Sequence, residues 1–244
     1  MELDTSKTVR ELALTVPQST RVFEQLGIDY CCGGNKSLQQ ACGEANLEVQ
    51  RVIDSLEQAA MEEQVRQEWK AGAQWTELPL ADLITRIKNT HHKFTRDEIA
   101  RLKPLLLKVC NVHGDKHPEL LRIKHDFEQL AQELTTHMMK EEMILFPYIE
   151  RMEEAVIAGE PILPAHFVTV KNPVALMVHE HDAAGNLLRS IRSRSGDYQP
   201  PARACTSFKA LYAALAEFEK DLHQHIHIEN NILFPRAVEM ERGR

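Results

Sequence analysis

The sequence predicts an all-α protein whose main body is an up-down four-helix bundle, and three observations carry that expectation. Breakers are sparse, with 10 Gly and 11 Pro in 244 residues, and much of the remainder is Leu, Ala, Glu, Lys and Gln, residues of high helix propensity. Four long stretches, about 80–111, 118–156, 172–195 and 203–240, carry apolar residues at helical spacing. Within them one pattern occurs twice: His137 to Pro147 and His225 to Pro235 both read HxxxExxILFP, 88 residues apart (137 to 225, 141 to 229). A spacing of that size leaves room for a helix pair, so the chain reads as a duplicated helical hairpin.

The breakers fall between the helices. Gly114 and Pro118 separate the first two, Gly159, Pro161 and Pro164 the second and third, and Gly196, Pro200 and Pro201 precede the last. Short to moderate loops of this kind join antiparallel neighbours, and the core of such a bundle is a common place for metal sites. The Phe146-Pro147 and Phe234-Pro235 pairs are expected to bend or end a helical segment below the repeated His and Glu.

Ahead of the bundle lies a smaller helical unit. Thr8 to Leu14, Pro17 to Leu26 with Gly27 as a stop, and a segment from Ser37 read as short helices. Leu12, Val16, Val22, Phe23, Leu26 and Ile28 supply a small core, and Val49, Val52, Ile53 and Leu56 mark a longer helix. Between Arg66 and Pro79 the periodicity lapses, with Gly72 and Pro79 as breakers. The expected organisation is an N-terminal helical domain over 1–66, a linker over 67–78 and the bundle over 79–244.

Composition limits the partners. A formal net charge of -7 disfavours nonspecific nucleic-acid binding, which relies on clustered Lys and Arg. The first thirty residues lack the apolar run of a signal peptide, and no stretch of about 18 apolar residues occurs. A cytoplasmic protein without a membrane span is therefore expected. Five irregularly spaced Cys (Cys31, Cys32, Cys42, Cys110, Cys205) are unlike a secreted disulfide framework, so reduced thiols are the default.

On a helix, residues four apart lie on one face about 5 to 6 Å from each other, so each HxxxE aims an imidazole and a carboxylate at one point. A symmetric bundle should supply further ligands from its first and third helices. The third carries His179-Glu180-His181-Asp182 and the first His91-His92; His92 and His181 are 89 residues apart (92 to 181), within one position of the repeat. The stripe set by Ile84 and Ile87 instead points to His91. The expected set is His92, His137, Glu141, His181, His225 and Glu229, a stoichiometry that suits two metal ions with each carboxylate bridging. Two Glu offset half the charge of two divalent ions, and a bridging oxide or hydroxide would offset most of the rest. Mixed nitrogen and oxygen donors with open positions favour iron. Ferritin-like sites use mainly Glu with Glu-x-x-His, a different arrangement.

A lone helical His is usually solvated or a satisfied core group; it is duplication that singles out these residues. His113, His117, His125, His166, His179, His223 and His227 are assigned to surface, loop or supporting positions, and Glu133 and Glu180 are candidates for outer carboxylates or equally for solvated helix charges. Cys31 and Cys32 sit before Gly33-Gly34 on a turn between helices, where Lys36 is the nearest cation. Two adjacent thiols there could be reactive or could pack beneath the turn. Cys42, Cys110 and Cys205 read as core or near-core.

The segments GIDYCCGG, HMMKEEMILFPYI, EHDAAG (Glu180 to Gly185) and HIHIENNILFPRA together resemble the repair of iron centres family, di-iron proteins that repair iron-sulfur clusters. The resemblance covers nearly the whole chain and implies an N-terminal domain with paired cysteines joined to a hemerythrin-like bundle. It further implies a non-haem di-iron centre with His92, His137, His181 and His225 as terminal ligands and Glu141 and Glu229 as bridges. An ungapped match of Leu83 to Arg96 selects His92 over His91, against the stripe. Cys31 and Cys32 correspond to the family's thiols, which assist iron handling or redox coupling. The implied role is restoring clusters damaged by nitric oxide and oxidative stress, by donating iron or by reducing nitric oxide, with damaged iron-sulfur proteins and small diatomic molecules as partners and a homodimer compatible with it. The oxygen-carrying hemerythrins use more His, with one Glu and one Asp, so the sequence is similar to them in bundle and metal class only. Two rival readings are a hemerythrin-like oxygen or nitric oxide sensor and a dinuclear zinc or manganese hydrolase.

Overall fold

The computed structural model describes residues 7–16, 19–28, 35–72 and 75–243, and these are helical throughout their regular parts. Among the described residues the one extended pairing is an isolated bridge between Thr8 and Ser37, and no helix is long and apolar enough to cross a membrane. Two compact units are present: residues 1–73 with 200–213, and residues 74–199 with 214–244.

In the first unit, helices α1 (Val9–Thr15), α2 (Ser19–Gln25), α3 (Leu38–Glu44) and α4 (Val49–Gly72) follow one another. Thr8 and Ser37 each close a capping box, with Glu11 and Gln40 respectively, so the orphan N–H groups of both starts are met locally. The two caps are themselves tied: Val9 N–H donates to the Lys36 carbonyl at 3.0 Å and Leu38 N–H to the Lys7 carbonyl at 3.1 Å. After α2, Gly27 takes φ +69°, the left-handed conformation that ends a helix without a Cβ penalty. Leu12, Val22, Phe23 and Ile28 are buried, joined by Val9, Leu38, Cys42, Val52 and Leu56, with Val16 and Leu26 at the margin. Helix α4 runs on to Gly72, through the first six positions of the expected linker.

The second unit is the bundle. Its helices are α5 (Leu80–Ile87) and α6 (Lys93–His113), α7 (Glu119–Lys140) and α8 (Phe146–Ala158), α9 (Lys171–Arg194), α10 (Thr206–Ile228), of which residues 206–213 belong to the first unit, and α11 (Phe234–Arg242). Three pairs are joined through a wider π-helical turn: Lys88–His92, Glu141–Leu145 and Glu229–Leu233. Phe146 and Phe234 N–H groups bond back five residues to the carbonyls of Glu141 and Glu229. Pro147 and Pro235 follow at once, near the start of the next helix where a missing N–H is tolerated. The Phe-Pro pairs, expected to bend or end a helical segment, stand at segment boundaries: the ladder widens just before them and a new helix opens at each Phe.

The duplication extends beyond the motif. Glu153 of α8 accepts from the Leu80 and Ala81 N–H groups at 2.7 and 2.8 Å, capping α5. Its counterpart Glu241 of α11 accepts from Val170 N–H at 3.0 Å, ahead of α9, and also holds Tyr148 and Thr169. Below the repeated His and Glu lies an apolar floor that includes Leu145, Phe146, Leu233 and Phe234 from the two ILFP segments. Higher in the bundle, Phe127 and Phe218 meet edge to face with ring centres 5.6 Å apart, a geometry that adds about 0.5–1.5 kcal/mol to burial.

Removing either tertiary cap tests the symmetry. Glu153→Ala is expected to cost about 1–2 kcal/mol in denaturant unfolding of the metal-free protein, and Glu241→Ala, which also loses Tyr148 and Thr169, about the same or more. Unchanged midpoints in both variants would show that these helix starts need no tertiary cap.

Candidate metal centre

The π turns decide which side chains reach the bundle axis. In the second copy, the buried residue one turn above the ligand position is Met177, four residues before His181. In the first it is Ile87, five residues before His92, with the turn Lys88–His92 holding the extra residue. A π turn advances the inward face by one position, so an α-helical stripe through Ile84 and Ile87 lands on His91 while the chain delivers His92. Both rings are fully buried, but only His92 faces the other candidate donors.

Those donors form two overlapping groups: His92, Glu141, His225 and Glu229, and His137, Glu141, His181 and Glu229, each with its ligating atoms within 4.8 Å of one another. All six expected residues are thus brought together and buried. The imidazoles face each other in pairs, His92 Nε2 to His225 Nε2 at 3.1 Å and His137 Nε2 to His181 Nε2 at 2.9 Å. Each carboxylate divides its oxygens between the pairs. Glu141 sets Oε2 3.4 Å from His92 and Oε1 3.3 Å from His137. Glu229 sets Oε1 2.9 Å from His225 and Oε2 3.2 Å from His181.

Outside this ring, further groups orient the imidazoles. Nδ1 of His92 donates to Glu142 at 2.7 Å, that of His137 to Glu180 at 2.9 Å, and that of His181 to the Asn230 side-chain oxygen at 2.8 Å. Such contacts place the proton on Nδ1 and turn the Nε2 lone pair inward, the usual support for a metal-bound histidine. Arg96 pairs with Glu142 at 2.7 Å and Lys140 with Glu180, so each outer carboxylate is clamped between an imidazole and a surface cation. The phenylalanines of the ILFP segments complete the mounting: Phe146 stacks on His92 with ring centres 5.7 Å apart and Phe234 on His181 at 6.1 Å.

This donor set fits a metal pair. Lone pairs directed at each other across about 3 Å repel unless a cation or proton lies between them, and both oxygens of Glu141 and Oε2 of Glu229 are buried without a hydrogen-bond partner among the described residues. Unsatisfied buried carboxylate oxygens are costly. In the metal-free chain protons take the cations' place. Burial opposes charge on His92, but Glu141 and Glu229 outweigh it and push the imidazole up to about 10. Burial likewise opposes charge on His137, where Glu141 leads the opposing pull and the value rises to about 9. Burial resists ionisation of Glu141 and Glu229, yet the surrounding imidazoles hold Glu141 below, and Glu229 well below, the ordinary carboxylate range. His225 is lowered by its burial, against the pull of Glu229.

The remaining expectations fall into place unevenly. Cys31 and Cys32 lie outside the described residues. Cys42 and Cys110 are buried, which raises both thiols, and Cys205 is half-buried. His125, His166, His179, His223 and His227 are exposed and His113 and His117 half-buried, away from the donor groups. Glu133 accepts from Gln129 on its own helix, whereas Glu180 is an orienting group. Sequence reasoning missed Glu142 and Asn230, although both directly follow a repeated Glu, and a polar residue at that position in both copies was the available signal.

The chain resembles known proteins over nearly its whole length. Residues 83–237 match the family described as "Hemerythrin HHE cation binding domain", and residues 5–60 one described as "Domain of Unknown function (DUF542)". The chain is similar to the "Iron-sulfur cluster repair protein YtfE" of Musicola paradisiaca, 35% identical over 235 residues that cover 96% of this chain and 97% of the relative. The protein of the same description from Edwardsiella ictaluri is 36% identical over 228 residues, covering 93% and 95%.

Metal uptake must displace the protons on His92 and His137. Titration calorimetry near neutral pH, in buffers of differing ionisation enthalpy, should register release of about two protons as the site fills. Both folded-state values lie above the 6.5 of a free imidazole, so protonation stabilises the metal-free fold fully below that pH, and this support is lost as pH rises through about 9 to 10. Buffer-independent heats would contradict the displacement.

Proposed function

Because the chain belongs to the family of iron-sulfur cluster repair proteins, we propose that it holds two iron ions between its four histidines and two bridging glutamates and uses them to restore damaged clusters. The observation that carries this reading is the division of each carboxylate's oxygens between two histidine pairs, Glu141 at 3.4 and 3.3 Å and Glu229 at 2.9 and 3.2 Å. That arrangement asks for one ion per pair with both glutamates in common. Two imidazole nitrogens and two carboxylate oxygens per ion leave open positions and suit iron over softer or purely oxygen-seeking metals. Bound iron would supply redox chemistry with small diatomic molecules such as nitric oxide or oxygen.

The chain's own residues are suited to giving iron up. When an ion leaves, His92 and His137 take up protons and neutralise Glu141 and Glu229, so the empty site does not strand two buried negative charges. Release is thereby coupled to proton uptake and favoured as pH falls. Iron is the cargo in this reading and a damaged iron-sulfur protein the recipient. Cys31 and Cys32, in the N-terminal domain over 1–66, would handle iron or electrons in transit, in the cytoplasm.

The test mixes the iron-loaded protein with an apo iron-sulfur protein, a sulfide source and a chelator trap. Wild type is expected to restore the cluster and Glu141→Leu to fail. Equal recovery with the variant would remove this site from the mechanism.

A further inference from the structure

The four ligand imidazoles are not held alike. His92, His137 and His181 each donate from Nδ1 to an oxygen, of Glu142, Glu180 and Asn230. Nδ1 of His225 is buried with no hydrogen-bond partner among the described residues. Its ring instead lies against that of His91, centres 5.6 Å apart and planes 8° from parallel. His91 is fully buried, and its Nδ1 sits 3.0 Å from Oδ2 of Asp221, four residues before His225 on α10.

The duplication shows what is unusual here. The residue before the ligand is Glu180 in one half, and it orients His137; in the other half it is His91, beside the counterpart ligand His225. Where one half uses a hydrogen-bonded carboxylate, the other uses a flat ring. The rings are stacked, and neither Nδ1 of His225 nor Nε2 of His91 has a hydrogen-bond partner among the described residues, so contact with His91 can fix the orientation of His225 but lends it no negative charge. We infer that His91, anchored by Asp221, is the positioning residue for His225. Building on the two-metal reading above, this makes the two metal positions unequal. Each ion would have one imidazole backed by a carboxylate, His137 by Glu180 and His92 by Glu142; the positions differ in the second imidazole, which is hydrogen-bonded to Asn230 in His181 and held by a ring stack in His225. His225 is accordingly the weaker donor of the corresponding pair, since an oxygen accepting from the outer nitrogen raises ligand basicity.

The test is a cobalt(II) titration of the metal-free full chain, as wild type, His91→Leu and His91→Phe, with thermal unfolding of each to verify the fold. His91→Leu fills the space without a flat face, and His91→Phe restores the face in the manner of Phe146 on His92. Wild type should take up two equivalents. His91→Leu should weaken one of them by about 10–100-fold and leave the other, and His91→Phe should recover most of the loss. A second readout needs no variant: in histidine nitrogen-proton NMR of the zinc-loaded wild type, Nδ1–H of His92, His137 and His181 should show hydrogen-bonded shifts and that of His225 should not. The inference is overturned if folded His91→Leu binds as wild type, if both equivalents weaken alike, if His91→Phe is no better than His91→Leu, or if His225 shows a hydrogen-bonded Nδ1–H. Wild type that takes up no metal would overturn the two-metal reading itself.

Discussion

The structure depends on two carboxylates, Glu141 and Glu229, placed fully inside a helical bundle. An isolated carboxylate at such a depth would be prohibitively costly, so everything around the pair supplies positive charge or directed protons. Four imidazoles surround them, two outer carboxylates and an amide set three of those rings, and Arg96 and Lys140 balance the outer carboxylates at the surface. The arrangement is closed by either cations or protons at its centre. That equivalence links metal loading to pH and lets the same site hold a cation or survive its loss.

A second constraint is geometric. Six donors on four helices must meet at one level, and an unbroken α-helix offers inward positions only every three or four residues. Three π turns, each bearing or bordering a donor, adjust the phase where it is needed. The repeated ILFP serves the same level: Leu145 and Leu233 enter the floor, Phe146 and Phe234 stack beneath imidazoles from neighbouring helices, and the prolines begin new helical segments just past the widened ladder. A motif that reads first as metal spacing is therefore also a packing instruction.

Much of this was legible from the amino acids. Helical periodicity and breakers located the bundle helices because Gly and Pro mark their ends, and duplication identified Glu141, Glu229, His137, His181 and His225 as a set because two copies had to converge. The phase of the first helix was not legible from periodicity: Ile84 and Ile87 pointed to His91, and a π turn has no residue pattern that an α-helical stripe reveals. Glu142 and Asn230 escaped for a related reason, since adjacent residues on an α-helix face different directions and a residue beside a ligand is ordinarily discounted. His91 lies beside a ligand and is not one, so nothing in its spacing distinguishes it, although its burial against His225 is one of the breaks in the symmetry of the two halves.

The central claim is a pair of iron ions sharing Glu141 and Glu229. Mössbauer spectroscopy of the full chain loaded with isotopically enriched iron tests it most directly. The account predicts two irons per chain that are magnetically coupled through their shared bridges, giving a diamagnetic ground state when both are ferric. A single iron per chain, or two that behave as isolated paramagnetic centres, would contradict it.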